Sequence, residues 1–308
     1  MKSKPQAKPV LLSFEDEQES AGHLAQTSGL DLVVIERHRF PDGELKLRLP
    51  ARLPAQLAIL RSLDNPNEKL LELLLTAQTA RQLGAKQLTL VAPYLAYMRQ
   101  DIAFQAGEAV SQRIVGQFLA TLFDAVVTVD PHLHRIERLQ QALPAANTLV
   151  LSAAPLLSDL IAARRPHALL VGPDEESLQW VARAAARHGF EHAVCHKIRH
   201  GDRSVQIELP RAAITGRPVV LLDDVASTGQ TLAAAARLFL AAGAVSVDVA
   251  VTHALFEENA MPLLLEAGVS EIWSSDCIRH SSNAVSMAPE LAKALLQALT
   301  AKVGQYTD

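Results

Sequence analysis

Aromatic side chains are scarce in this 308-residue chain: Phe, Trp and Tyr together make up 4% of it. That argues against the stacked aromatic platforms that hold single-stranded nucleic acid. Cysteine is rarer still. Cys195 and Cys277 are the only two, they lie far apart and they match no zinc spacing. A disulfide framework is therefore disfavoured, and a reducing, cytoplasmic compartment is expected. No block of like charge is present, and the formal net charge of −4 is made of both signs spread along the chain. A nucleic-acid or anionic-membrane partner gains no support from that pattern. Long apolar runs are missing too. The most apolar stretch, Leu232 to Ala254, is interrupted by Arg237, Asp248 and His253 and reads as a buried helix followed by a strand rather than a membrane span. Residues 1–9 are basic and broken by Pro5 and Pro9, with no continuous apolar segment behind them. They read as a disordered tail, not a signal peptide.

Aliphatic residues are plentiful. Apolar types make up 49% of the chain, with Ala and Leu carrying the burial. That is enough for two α/β domains of about 150 residues each. Short β-forming runs alternate with amphipathic segments. Val10–Phe14, Leu32–Ile35, Leu45–Leu49, Leu88–Val91 and Ala125–Val129 read as strands in the first half. Asn67 reads as the N-cap of a helix whose stripe is Leu70, Leu71, Leu74, Leu75 and Ala77, closed by Gly84, and a second helix is expected from Val110 to Phe123. A similar series follows Ser152. Helices are expected over 156–163, 175–188 and 232–242, and strands over 168–171, 219–222 and 245–251. Continuous apolar strands flanked by helices imply two similar α/β domains, each a mostly parallel sheet covered on both faces. The domains are placed at 10–150 and 151–308, although no internal sequence repeat aligns.

The most informative stretch is Val219 to Thr231. Four apolar β formers run into Asp223 and Asp224, a Ser227-Thr228-Gly229 turn follows, and an Ala-rich helix begins. Ligands of open parallel sheets bind at the carboxyl ends of strands. A helix N-terminus there offers free backbone N–H groups and a positive dipole end to a phosphate. Gly229 lets the backbone come close, and Ser227, Thr228 and Thr231 add hydroxyl donors. The two carboxylates would repel a phosphate, so sugar hydroxyls or a substrate-borne magnesium ion are their natural partners. Helix capping alone accounts for one such residue, not for the whole set.

This loop resembles the sugar-phosphate motif shared by phosphoribosyltransferases and ribose-phosphate pyrophosphokinases (phosphoribosyl pyrophosphate synthetases). Other segments point to the second family, in an archaeal-like variant. Arg39-Phe40-Pro41-Asp42-Gly43-Glu44 resembles the segment that reaches a neighbouring subunit's ATP site. Pro93 to Asp101, with Arg99-Gln100-Asp101, is similar to the ATP-contacting stretch, and Phe104 to Ser111 is similar to its archaeal continuation. Val129-Asp130-Pro131-His132 resembles a metal segment, Gly172-Pro173-Asp174 falls where a second magnesium-linked aspartate is placed, and His196-Lys197-Ile198-Arg199 resembles the catalytic loop. The resemblance spans about Val10 to Ala301.

The resemblance implies a phosphoribosyltransferase-like fold in both domains. It implies that Phe40, Asp42, Glu44, Arg99 and Gln100 bind ATP, the co-substrate, and that His132, Asp174 and Asp130 hold Mg²⁺. It implies that Lys197 and Arg199 are catalytic and that Asp223, Asp224, Ser227, Thr228, Gly229, Gln230 and Thr231 bind ribose 5-phosphate. The implied reaction carries pyrophosphate from Mg-ATP to the anomeric hydroxyl, giving phosphoribosyl pyrophosphate and AMP in a cytoplasmic homo-oligomer with shared sites. Read without the resemblance, several of these residues keep plainer roles. His132 could cap a helix, with His134 beside it on a solvated face. Lys197 and Arg199 could be exposed cations of a hairpin turning at His200-Gly201-Asp202.

Three departures stand out. Glu175 and Glu176 follow Asp174 where the family favours small residues, and they could be helix-dipole partners or bring negative charge to a metal or phosphate site. Gln230 replaces a common second glycine and could narrow the phosphate pocket or point outward. Ile102 and Ala103 stand where basic residues are common. These departures leave open a catalytically silent homologue with a regulatory or nucleotide-binding role, and a phosphoribosyltransferase.

Overall fold

The computed structural model describes residues 8–133, 135–144, 146–199 and 205–301, with backbone alone for 197–199 and 205–206. Residues 1–7 of the tail expected at 1–9, His134 and the turn at His200–Asp202 lie outside the described residues. The chain divides into two compact units. Unit 1 is Met1–Leu151 with Ala288–Asp308, and unit 2 is Ser152–Met287.

Unit 1 begins with β1 (Val10–Ser13), α1 (Gln18–Ser28), β2 (Asp31–Val34), β3 (Glu36–Arg39) and β4 (Leu45–Arg48). It continues with β5 (Gln56–Leu60), α2 (Pro66–Gln82), β6 (Gln87–Ala92), α3 (Ser111–Leu122), β7 (Ala125–Val129) and β8 (Asn147–Leu151). Six of these strands form one sheet in the order β2-β1-β5-β6-β7-β8, and every neighbouring pair is parallel. Strands β3 and β4 stand apart as an antiparallel hairpin.

Unit 2 contains α4 (Ala154–Arg164), β9 (Leu169–Gly172), α5 (Leu178–His188), β10 (His192–Val194), β11 (His196–Arg199) and β12 (Val205–Glu208). It continues with β13 (Pro218–Ala226), α6 (Gln230–Ala241), β14 (Ser246–Ala254), α7 (Ala260–Glu266), β15 (Val269–Ser275) and β16 (Asn283–Val285). Its sheet is again all-parallel, in the order β10-β9-β13-β14-β15-β16, with β11 and β12 as a separate antiparallel hairpin. The expected α/β class, two parallel sheets flanked by helices, is therefore observed.

The last helix, α8 (Ala288–Thr300), departs from the expected division at 151. It packs on unit 1, where Gln56 Nε2 donates to the Leu299 carbonyl at 2.8 Å and Gln87 Nε2 to that of Ala298 at 3.0 Å. Leu291, Leu295, Ala298 and Leu299 bury their side chains there. The local pattern at 288–300 reads simply as an amphipathic helix, and nothing in it reveals which sheet it covers.

Among the elements the sequence did not single out are two strands of the unit 1 sheet. Strand β5 has one β-branched residue in Gln-Leu-Ala-Ile-Leu, so its propensity signal is weak although it is central in the sheet. Strand β8 occupies the stretch read as a boundary and forms the sheet's far edge.

Helix α2 corrects two further expectations. Its cap position is Asn65, in the left-handed region at φ 50°, and Pro66 opens the helix, where a missing N–H costs nothing. Asn67 instead accepts a hydrogen bond from the Tyr97 hydroxyl. The buried face runs through Glu72, Leu73, Thr76, Ala77 and Ala80, while Leu71 is exposed. The expected stripe is rotated because a carboxylate occupies a core position, held there by two arginines.

That rotation has a direct check in denaturant unfolding. Leu73→Ala should cost about 2–5 kcal/mol, as for a fully buried leucine, whereas Leu71→Ala should stay within about 0.5 kcal/mol of the parent. Equal losses would place both residues in the core and contradict the observed face.

Candidate active site

Both sheets are parallel, so the loops that leave their strands at the carboxyl ends lie along one edge of each. These loops hold most of the residues of interest. In unit 1 they follow β5, β6 and β7. Each contains one non-glycine residue at positive φ: Asn65 at 50°, Tyr97 at 65° and Asp130 at 36°. Such backbone is uncommon and persists where the surroundings enforce it, often at functional loops.

Arg99 is exposed and Gln100 half-buried on the loop after β6, with Gln100 Nε2 donating to the Ile102 carbonyl at 2.9 Å. Asp101 turns inward. It is buried and accepts a 2.6 Å hydrogen bond from Arg135 Nη1 on the loop after β7. The Val129 N–H also donates to the Pro93 carbonyl at 3.2 Å. These bonds bring the loop of Arg99 and Gln100 beside the loop of Asp130 and His132. Asp130 is buried, with its N–H donating to the Leu151 carbonyl at 2.9 Å, and His132 is half-buried. Arg135 was not anticipated, because nothing local ties it to a residue 34 positions earlier.

Phe40 to Glu44 form the tip of the β3–β4 hairpin. The Phe40 N–H donates to the Glu44 carbonyl at 2.8 Å, and the Gly43 N–H to the Phe40 carbonyl at 2.9 Å. Asp42 Oδ1 accepts from the Glu44 N–H at 3.2 Å. Phe40, Asp42 and Glu44 are all exposed, and Phe40 meets the His38 ring edge-on at 4.8 Å.

A charged cluster lies beneath the hairpin. Arg61, immediately after β5, is 1% exposed. Its Nη1 donates to Asp16 Oδ2 at 2.8 Å, and its Nη2 donates to Glu72. The other Glu72 oxygen accepts from Arg37 Nη1 of β3 at 2.5 Å. Glu17 Oε1 accepts from the Ser62 N–H at 2.8 Å, and Ser62 Oγ accepts from the Tyr94 N–H at 3.1 Å. Glu17 Oε2 lies 3.5 Å from Arg61 Nη1 and makes no hydrogen bond among the described residues. Burial pushes the Glu17 carboxyl up to about 7. The nearby Arg61 and Lys69 charges oppose that rise without overcoming it, since Arg61 is already engaged by Asp16 and Glu72.

In unit 2 the loop after β9 carries Asp174. Its Oδ1 accepts from the N–H groups of Glu176 and Ser177 at 3.1 and 3.3 Å, capping a short 3-10 turn. The turn folds close against the strand: a Cβ on Gly172 would fall 2.1 Å from Ser177 Oγ. Glu175 points to the neighbouring hairpin, where its Oε1 is 2.8 Å from His196 Nδ1 on β11. Lys197 and Arg199 follow on that strand in register with Ile207 and Val205, and their side chains lie outside the described residues.

Strand β13 neighbours β9 and extends to Ala226, so Asp223 and Asp224 are strand residues rather than loop residues. Alternation sends the two carboxylates to opposite faces, Asp223 half-buried and Asp224 buried. Only Ser227, Thr228 and Gly229 form the turn. Gly229 takes φ 72° at the cap position of α6, and Thr228 Oγ1 accepts a 3.4 Å bond from the Gln230 N–H. Gln230 is exposed at its first position. Ser227 Oγ donates to Glu257 Oε1 at 3.2 Å, and the Glu257 N–H returns a 3.1 Å bond to the Ser227 carbonyl. Glu257, 30 residues downstream, had no signal in the loop's own sequence.

Among the described residues no three His, Cys, Asp or Glu side chains converge into a metal-binding group. Asp130 and His132 belong to unit 1, and Asp174 to unit 2. No helix among the described residues is long and apolar enough to cross a membrane.

Comparison with known proteins covers nearly the whole chain. The family model for the N-terminal domain of ribose phosphate pyrophosphokinase matches residues 9–122, and that for the phosphoribosyl transferase domain matches 144–274. A ribose-phosphate pyrophosphokinase of Methanopyrus kandleri is 34% identical over 290 residues, covering 93% of this chain and 98% of that protein. One from Methanosarcina acetivorans is 34% identical over 279 residues, covering 89% and 95%. The crystal structure of phosphoribosylpyrophosphate synthetase from Mycobacterium smegmatis superposes with a TM-score of 0.82 at 26% identity, covering 94% of this chain and 98% of that one.

The raised Glu17 carboxyl sets a pH dependence for stability. A folded-state value near 7 against an ordinary 4.5 means that the folded protein holds this proton more tightly than the unfolded chain. The resulting stabilisation is complete below pH 4.5 and is lost as pH rises through 7, by up to about 3 kcal/mol. Unfolding free energies of the wild type minus those of Glu17→Gln should therefore fall between pH 5 and 7.5. A flat difference would show that Glu17 titrates normally.

Proposed function

The chain belongs to the ribose-phosphate pyrophosphokinase family, and on that premise we propose that it transfers pyrophosphate from Mg-ATP to the anomeric hydroxyl of ribose 5-phosphate. The products are phosphoribosyl pyrophosphate and AMP. The observation that carries this reading is the end-to-end match to named pyrophosphokinases. A phosphoribosyltransferase would leave residues 9–122, matched by the pyrophosphokinase N-terminal domain, without a counterpart. No observation favours a silent homologue.

ATP is assigned to the carboxyl edge of the unit 1 sheet and the hairpin tip. Arg99 offers a planar fork of donors, and Gln100 an amide on the same loop. Asp42 and Glu44 supply acceptors for the nucleoside, and Phe40 an apolar face. Ribose 5-phosphate is assigned to unit 2. Its phosphate takes the start of α6, with backbone N–H groups and the hydroxyls of Ser227, Thr228 and Thr231 as donors. Its ring hydroxyls take Asp223. Because β13 carries Asp224 on its other face, Asp224 acts by supporting the strand end rather than by touching the same hydroxyls.

The anomeric oxygen attacks the β-phosphorus, the bond from that phosphorus to the α-phosphate oxygen breaks, and AMP departs with the electron pair while the hydroxyl loses its proton. Lys197 and Arg199 stabilise the charge that grows on the bridging and leaving oxygens. Asp130, His132 and Asp174 are the residues that would hold Mg²⁺. The Asp130 and Asp174 carboxylates are the oxygen donors that Mg²⁺ prefers, and His132 would reach it through water. When bound, Mg²⁺ neutralises the polyphosphate charge. The protein is assigned to the cytoplasm, as a homo-oligomer in which Phe40 to Glu44 complete a neighbour's site.

The decisive assay mixes protein, Mg-ATP and ribose 5-phosphate and follows AMP. AMP release should require the sugar, and Lys197→Ala should lower the rate by about 10²–10³-fold. No AMP with any pentose phosphate would sink the reading, and base-dependent pyrophosphate release from phosphoribosyl pyrophosphate would favour a transferase. If the hairpin completes a neighbour's site, specific activity should fall on dilution in step with dissociation followed by light scattering. Undiminished activity in a monomer would refute the shared site.

A further inference from the structure

A two-stranded antiparallel ribbon is marginal by itself, and every residue of β3 is exposed. The β3–β4 hairpin therefore points in a fixed direction only if something at its base holds it. Leu47 of β4 packs against the core, and three ion pairs add to that hold, two of them ending on α2. Arg39 pairs with Glu68, an exposed contact. Arg37 donates to Glu72, whose carboxylate is fully buried.

Glu72 is in turn fixed by Arg61, at the carboxyl end of the central strand β5. Arg61 is gripped from elsewhere by Asp16 at 2.8 Å and stacks over the Phe14 ring at 4.5 Å. Arg37 also reaches Asp16, at 3.4 Å. One buried guanidinium thus links the sheet through a buried carboxylate to the hairpin. Stability alone is a weak reason for such a link, since replacing a buried ion pair with well-packed apolar residues is often neutral or stabilising. A guanidinium–carboxylate pair gives instead a directional bond that apolar packing does not.

We propose that Arg61 is a positioning residue for nucleotide binding: through Glu72 and Arg37 it sets the direction of the hairpin that presents Phe40, Asp42 and Glu44. This rests on the assignment of those three residues to ATP. The same centre also reaches the Arg99 loop, since Glu17 holds Ser62 and Ser62 holds the Tyr94 N–H. The hairpin and the loop after β6 thereby share one reference point on the sheet.

Two variants separate positioning from stability. Arg37→Leu removes the Arg37 contacts to Glu72 and Asp16 and leaves the Arg61–Glu72 pair in place. The double variant Arg61→Met with Glu72→Met replaces the buried pair with apolar residues. Both should raise KM for Mg-ATP by about tenfold to a hundredfold, the usual effect of losing a preorganised contact, with KM for ribose 5-phosphate unchanged. Both should also speed amide exchange at Phe40 and Gly43 without lowering the melting temperature, and Arg37→Lys should restore part of the ATP affinity. Unchanged KM for ATP and unchanged exchange at the hairpin would overturn the proposal. So would parallel rises in both KM values that track loss of folded protein. A wild type that releases no AMP would fail the parent reading instead, and the exchange measurement would still decide whether the cluster holds the hairpin.

Discussion

Parallel strands cannot be joined by a tight turn, so the chain must cross back over the sheet before each new strand begins. Both six-stranded sheets obey this constraint along their full width. Covering helices and a shared direction of strand ends follow from it. Every strand of a sheet delivers its outgoing loop to the same edge, and short, strained or polar loops can meet there without contributing to the core. The residues of interest gather for that reason: Arg99 and Gln100 after β6, Asp130 and His132 after β7, Asp174 after β9, and the Ser227 turn after β13.

Both units bury a carboxylate against a guanidinium. Arg61 and Glu72 sit in unit 1 at positions where apolar residues would fill the space. In unit 2, Asp248 is fully buried on β14 and accepts two bonds from Arg165, at 2.7 and 3.0 Å. Burial still pushes the Asp248 carboxyl above its usual range, with Arg165 only partly offsetting it. The two pairs differ in place. Asp248 lies near the start of its strand, away from the carboxyl-end loops, whereas Arg61 lies at the end of its own. The first is a local staple, and the second has a neighbour to direct.

Local pattern made much of the architecture legible. Ala125–Val129 reads as a strand with the observed bounds, and Val219 to Leu222 announces β13 because four apolar β formers in a row have few other uses. The Ser227-Thr228-Gly229 turn is legible because glycine and hydroxyls follow a buried strand directly. What escaped was whatever depends on distant partners. Glu72 looks like a solvent-facing helix residue until Arg61 and Arg37 are seen beside it. Glu175 and Glu176, so close in sequence, take separate roles: Glu175 meets His196, while the Glu176 N–H serves Asp174. Asp223 and Asp224 look like a matched pair until the strand is seen to continue through them and turn them apart.

Helix α8 belongs to unit 1 although unit 2 is threaded between it and the rest of that unit. A ribosome therefore releases the first 151 residues long before the helix that seals part of their sheet. During that interval the nascent first unit must keep an apolar patch uncovered, around the faces of α1, β6, β7 and β8 later taken by α8, while the whole of the second unit is made. The second unit, contiguous in sequence, has all its parts as soon as it emerges. Order of synthesis and order of completion thus run opposite ways: the domain that begins first is finished last, and its exposed patch is where a chaperone would be expected to linger.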